Sequence, residues 1–87
     1  MKNDYKEKGI YYMDLGESEK AIDCFQEAID INPEDAEAYC YMGVVYANLG
    51  EFENVNACYQ KAADINPENA EIYNEMRRRL INTNDAN

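Results

Sequence analysis

The sequence predicts an all-α fold of antiparallel helix-turn-helix repeats, five helices in all, on three observations. The first is a period of 34 residues, which separates Gly9 from Gly43, Gly16 from Gly50, Cys24 from Cys58 and Pro33 from Pro67. Laying residues 2–35 over 36–69 gives 15 identities in 34, among them the stretch Asp-Ile-Asn-Pro-Glu that begins at Asp30 and again at Asp64. A fixed period of this length marks stacked units, none of which can bury its apolar face alone. The second observation is apolar spacing of three and four residues inside each unit, the spacing of one helical face. The third is punctuation: a Gly closes the first helix of each unit and Asn-Pro closes the second.

Helix 1, over residues 3–15, carries Tyr5, Gly9, Tyr12 and Leu15 on one side and stops at Gly16, which suits the left-handed conformation that ends a helix. Helix 2, over 18–31, has Ser18 as a candidate cap and presents Ala21, Phe25, Ala28 and Ile29; Pro33 then pushes Asn32 out of helical geometry. Helix 3, over 36–49, follows the candidate cap Asp35 and is apolar on nearly every side, with Tyr46 expected as a central anchor. Helix 4, over 52–65, ends at Asn66 before Pro67. Helix 5, over 70–82, follows the candidate cap Asn69 and opens a third copy of the pattern, Ala-Glu-x-Tyr-x-x-Met, before leaving it. The expected organisation is one domain, with repeats at 1–35 and 36–69, a closing helix at 70–82 and a disordered polar tail at 83–87.

Composition excludes several function classes. Eighteen acidic against eight basic residues give a net charge of −10, which repels phosphate backbones and anionic lipid, so neither nucleic acid nor a membrane surface is expected as partner. The longest apolar run, Ala38 to Ala47, is about half of a bilayer span, and Met-Lys-Asn-Asp at the start lacks a signal peptide's apolar core. The expected location is the cytoplasm. Cys24, Cys40 and Cys58 are odd in number and show no Cys-x-x-Cys pair, which fits free thiols packed as small apolar groups.

No His is present, so the commonest general base and metal ligand is missing and no Cys can have an imidazole partner. No phosphate-binding Gly-rich loop exists, and the acids around Pro33 and Pro67 lack calcium-loop spacing. The expectation is a non-enzyme with no cofactor and no metal. Arg77, Arg78 and Arg79 form the one basic cluster; they can complement the helix dipole, or Arg78 can receive a partner's carboxylate.

These residues resemble the tetratricopeptide repeat, whose pattern runs aromatic, Leu-Gly, Tyr, Ala, Phe or Tyr, Ala and Pro. The first copy matches it at Tyr5, Gly9, Tyr12, Ala21, Phe25, Ala28 and Pro33, and the second at Tyr39, Met42, Gly43, Tyr46, Tyr59, Ala62 and Pro67. The small residues are expected to let the paired helices approach, Gly9 near Ala28 and Gly43 near Ala62, with aromatics around the contact. Lys8 stands where the pattern wants Leu, Arg77 where it wants Gly, and Val55 where it favours Ala. Arg77 would block a partner helix, so the last helix reads as a solvating cap.

The resemblance implies a short right-handed superhelix whose first, third and fifth helices line a concave peptide-binding groove. On this chain that face carries Lys6, Ile10 and Met13, then Glu37, Cys40, Tyr41, Val44 and Asn48, then Asn74, Glu75 and Arg78. Some relatives clamp the C-terminal carboxylate of heat-shock chaperones; those positions fall here on Lys6, Ile10, Tyr41, Glu71 and Glu75, and Lys6 alone suits the task. The expected ligand is a neutral to basic protein segment with apolar anchors, engaged through the strip Ile10, Met13, Cys40, Tyr41 and Val44. The alternative is a structural role in which copies pair through that strip as a homodimer or exchange helices.

Overall fold

The computed structural model describes residues 4–85, with side chains from 4 to 82. It contains α1 (Tyr5–Asp14), α2 (Ser18–Ile31), α3 (Ala36–Asn48), α4 (Phe52–Ile65), a 3-10 turn (Pro67–Asn69) and α5 (Ala70–Asp85). The last helix runs three residues past its expected end at 82, so residues 83–85 belong to α5 rather than to a tail, and residues 86–87 lie outside the described residues.

The helix ends follow from their residues. Gly16 and Gly50 adopt φ of +78° and +75°. Beyond them the N–H of Glu17 returns to the Tyr12 carbonyl and that of Glu51 to the Tyr46 carbonyl, both at 2.9 Å, which satisfies carbonyls the helix leaves open. Asp35 caps α3 by accepting from the Ala38 N–H at 3.2 Å. Two expected caps are not made. Glu17, not Ser18, occupies the capping position of α2 and forms no side-chain bond there, and Asn69 lies inside the 3-10 turn that leads straight into α5.

The molecule is thin, 42 × 31 × 16 Å, as two layers of helices demand. α3 contacts both α1 and α5, which do not contact each other, while α2 and α4 form the second layer. α3 packs against all four other helices, which is why its sequence is apolar all round. One core cluster joins Ala21, Phe25, Ala28 and Ile29 of α2 to Ala38, Met42 and Val45 of α3; the other joins Cys40 and Ala47 of α3 to Val55, Tyr59 and Ala62 of α4. Tyr59, Phe25, Val45 and Val55 are the largest fully buried side chains, each contributing roughly 1.5–3 kcal/mol of apolar transfer. Tyr46, the expected anchor, is only half-buried, at the edge where both clusters meet.

The glycines inside helices act through aromatic rings rather than through alanines. A Cβ on Gly9 would lie 2.5 Å from the Phe25 ring, and one on Gly43 would lie 2.6 Å from the Tyr59 ring. Gly therefore makes room for the aromatic of the second helix to lie flat across the first.

α5 departs from the repeat in its orientation. Counting by 34, Ile72 and Met76 correspond to Ala38 and Met42, which α3 buries to 0% and 5% exposure, yet they are 58% and 37% exposed. α5 instead turns Tyr73, Leu80 and Ile81 onto the cluster of Val55, Tyr59 and Ala62, and Arg77 Nη1 donates to Asn56 Oδ1 of α4 at 3.1 Å. In α3 the equivalent residues Tyr39 and Tyr46 pack against both core clusters, and Ala38 and Met42 are buried beside them; in α5 only the Tyr73 face is covered, and Ile72 and Met76 stay largely in solvent. Composition explains the choice: the face used supplies Tyr73, Leu80 and Ile81, whereas the in-register face would bring Arg79 to the place of buried Val45.

Candidate functional site

α3 and α5 enclose a cleft of about 330 Å³ lined by Glu37, Cys40, Tyr41 and Val44 from α3 and by Tyr73 and Met76 from α5. The α3 residues are spaced i, i+3, i+4 and i+7, one helical face, so a single helix supplies most of the surface. Three of the lining residues are held from behind. Cys40 forms the floor, and its carbonyl accepts a hydrogen bond from the buried Tyr59 hydroxyl at 3.1 Å. Tyr41 stacks on Phe25 with ring centroids 5.6 Å apart and planes 9° from parallel. Tyr73 is oriented by its hydroxyl, which accepts from Asn66 Nδ2 at 3.3 Å.

Charge enters at one end. Lys6 Nζ donates to Glu37 Oε1 at 2.9 Å and to Asp35 Oδ2 at 3.0 Å, tying α1 to the start of α3. The hydrogen bond to Glu37, with the Asp35 carboxylate beside it, raises the Lys6 pKa against the opposing effect of partial burial. Lys6 is thus already engaged by two carboxylates. Burial pushes the Cys40 thiol up to about 11, away from the thiolate a nucleophile needs, and the same holds for Cys58 behind it. What remains is an apolar trough with a carboxylate at its rim.

Apart from Lys6, which sits beside Glu37 and Asp35, the residues expected in the groove divide into three groups. Glu37, Cys40, Tyr41 and Val44 come together in the cleft. Ile10 and Met13 are half-buried against the first core cluster, and Asn48 is exposed at the end of α3, outside the cleft. Asn74, Glu75 and Arg78 lie with Glu71 on a separate shallow depression of α5. There Arg78 and Arg79 pair with Glu75 and hold its carboxyl below the usual range. Register arithmetic points past Tyr73 and Met76, because it assumes that α5 continues the repeat; the sequence signal that it does not is Arg77 in the slot where Gly9 and Gly43 admit a ring.

Among the described residues no group of His, Cys, Asp and Glu could hold a metal ion, and no helix is long and apolar enough to cross a membrane. A comparison with curated proteins found no match. Against family models, residues 9–50 match one described as TPR repeat and residues 36–69 match one described as tetratricopeptide repeat. With the 34-residue period, the helix pairs and the ring-over-glycine contacts, these matches make the chain a member of the tetratricopeptide-repeat family.

Proposed function

We propose that the chain is a non-enzymatic binding module whose cleft between α3 and α5 takes a neutral to basic segment of another protein, anchored by aliphatic side chains. In this reading residues 1–35 and 36–69 are the two repeats, α5 is the closing helix, and the setting is the reducing cytoplasm, where three free thiols persist. The observation that carries it is the cleft itself: Cys40, Tyr41, Val44, Tyr73 and Met76 form an apolar trough backed by rigid aromatics, in a molecule of net charge −10. A preformed trough of this size holds one or two aliphatic side chains, and the surrounding acids favour a cationic flank.

Fluorescence anisotropy with three labelled peptides tests this. One alternates Leu and Lys, one has the same Leu spacing with Glu for Lys, and one alternates Gly and Lys. The Leu/Lys peptide should bind, and the other two should bind at least roughly tenfold more weakly, the equivalent of one lost anchor. Val44→Asp should leave the helical circular dichroism unchanged, since Val44 belongs to neither core cluster, and should abolish the Leu/Lys signal. Equal binding of the Leu/Lys and Gly/Lys peptides, or undiminished binding by a folded Val44→Asp variant, would remove the cleft from consideration.

A further inference from the structure

Three charges meet where α3 begins, at one end of the cleft, and they differ in how far each is engaged. Both oxygens of Asp35 are used: Oδ1 caps the Ala38 N–H at 3.2 Å and Oδ2 accepts from Lys6 Nζ at 3.0 Å, with the side chain only 13% exposed. A carboxylate so covered needs a counter-charge, and Lys6 supplies it. Glu37 is different. Its side chain is 62% exposed, Oε1 accepts from Lys6 at 2.9 Å, and among the described residues Oε2 accepts no hydrogen bond. One positive charge thus faces two negative ones, and the excess sits on the exposed member.

Glu37 also joins two surfaces. It lines the cleft with Cys40, Tyr41 and Val44, and it lines the adjoining polar depression with Lys6, Glu34 and Asp35. Cys40, Tyr41 and Val44 lie on average about five residues further along α3, an axial rise of about 7 Å. An extended segment repeats its side chains on one side every second residue, about 6.5–7 Å apart. A segment lying along α3 with an aliphatic side chain in the trough therefore brings the side chain two positions away to Glu37. The residue between them points to the other side. At Glu37 the excess negative charge and the open Oε2 favour an ammonium or guanidinium group.

We infer that Glu37 selects the charge of the ligand, pairing with a Lys or Arg side chain two residues from the aliphatic anchor. This rests on the proposed use of the cleft and adds to it a residue and a spacing, since net charge alone would accept a cation anywhere in the segment. Lys6 draws on the same carboxylate, so it competes with the ligand's cation rather than assisting it.

Fluorescence anisotropy with two labelled peptides of one composition, the protein titrated to the millimolar range, decides it. Lys-Gly-Leu-Gly-Lys places a cation two positions from Leu on both sides, so chain direction does not matter; Gly-Lys-Leu-Lys-Gly places the cations next to Leu. The parent should bind the first about two- to fivefold more tightly, the strength of one exposed ion pair. Glu37→Gln, checked for helicity, should bring the two to equal affinity, and Lys6→Met should keep or widen the difference. Glu37→Lys should prefer Glu-Gly-Leu-Gly-Glu to Lys-Gly-Leu-Gly-Lys, a reversal that a loss of helix stability would not produce. A preference that Glu37→Gln retains overturns the inference. Equal binding of the two lysine peptides by the parent, abolished by Val44→Asp, overturns it and leaves the cleft standing, whereas no binding of either removes the cleft reading and this inference with it.

Discussion

Gly43→Ala places two ordinary effects in opposition, and their difference has a sign that the geometry decides. In a helix interior, Ala is better than Gly by about 0.8–1 kcal/mol, so open surroundings would make the substitution stabilising. Here the new methyl would lie 2.6 and 3.0 Å from two carbons of the Tyr59 ring. That ring has little freedom to yield. It is fully buried, and its hydroxyl is tied to the Cys40 carbonyl at 3.1 Å, so it is held at both ends. Overpacking a core costs about 1–3 kcal/mol, and a ring held at both ends puts this contact in the upper half of that range, which leaves a net loss of roughly 1–2 kcal/mol after the helix gain. For a domain of this size each kcal/mol moves the melting temperature by about 4–8 °C. Thermal melts followed by circular dichroism should show Gly43→Ala melting below the parent, and Tyr59→Leu should remove the clash, so that adding Gly43→Ala to it costs nothing. A Gly43→Ala protein as stable as the parent or more so would refute the claim that ring-over-glycine contact sets the spacing of the pair.

Three further outcomes follow from named contacts. Asp35→Ala removes both the α3 cap and one partner of Lys6 and should cost about 1–2 kcal/mol by urea titration, whereas Asn69→Ala, at the equivalent place with no capping bond, should stay within about 0.5 kcal/mol. Burial raises the Cys40 and Cys58 pKa values from 9.0 to about 11, so the unfolded chain releases those protons first. Stability should be level below pH 9 and fall from there toward pH 11, by at most about 1.4 kcal/mol per pH unit for each thiol, with buried Tyr59, whose pKa is also raised, adding to the fall above pH 10; a Cys40→Ala/Cys58→Ala variant should lose the fall between pH 9 and 10, and a parent level to pH 10.5 would contradict the burial. Lys6, whose pKa is raised, contributes stability that is also lost on the alkaline side. Iodoacetamide at neutral pH should modify half-exposed Cys24 first and reach Cys40 and Cys58 only as the chain unfolds; equal rates for all three would contradict it.

Much of the fold can be read from residues whose effect is local. Gly16, Gly50, Asn32 and Asn66 set chain direction by their own backbone preferences, so α2 and α4 begin and end where the sequence puts them. The period of 34 then pairs the helices, because the same small and aromatic residues return at the same offsets. What the sequence blurs is tertiary compromise. Gly9 and Gly43 announce close approach but not what approaches, and the occupants are Phe25 and Tyr59, chosen by ring size. Ile10 and Met13 read as groove residues from their register, yet they pack, half-buried, against the first core cluster.

The α5 half of the site was hidden for a stronger reason. Periodicity assigns a helix face by analogy with its predecessor, and the analogy loses force where the pattern itself breaks, at Arg77 and Arg79 in the places of Gly43 and Val45. Two apolar faces were available, Ile72 with Met76 and Tyr73 with Leu80 and Ile81, and only one could meet α4. Burial favours the second, since Arg79 shares the first face and cannot take the buried place of Val45 without a partner for its charge. The same choice brings Tyr73 and Met76 to the cleft and leaves Ile72 in solvent. Arg79→Leu therefore tests the account: with an apolar residue at that place the face of Ile72 and Met76 gains the advantage, and α5 should turn toward it by about 100°, one residue on the helical wheel. Ile72 would become protected and Tyr73 exposed. Cysteine labelling at Ile72→Cys in the parent and in the Arg79→Leu background reads the change directly, and equal labelling in the two would show that something other than the Arg79 charge fixes the orientation of α5.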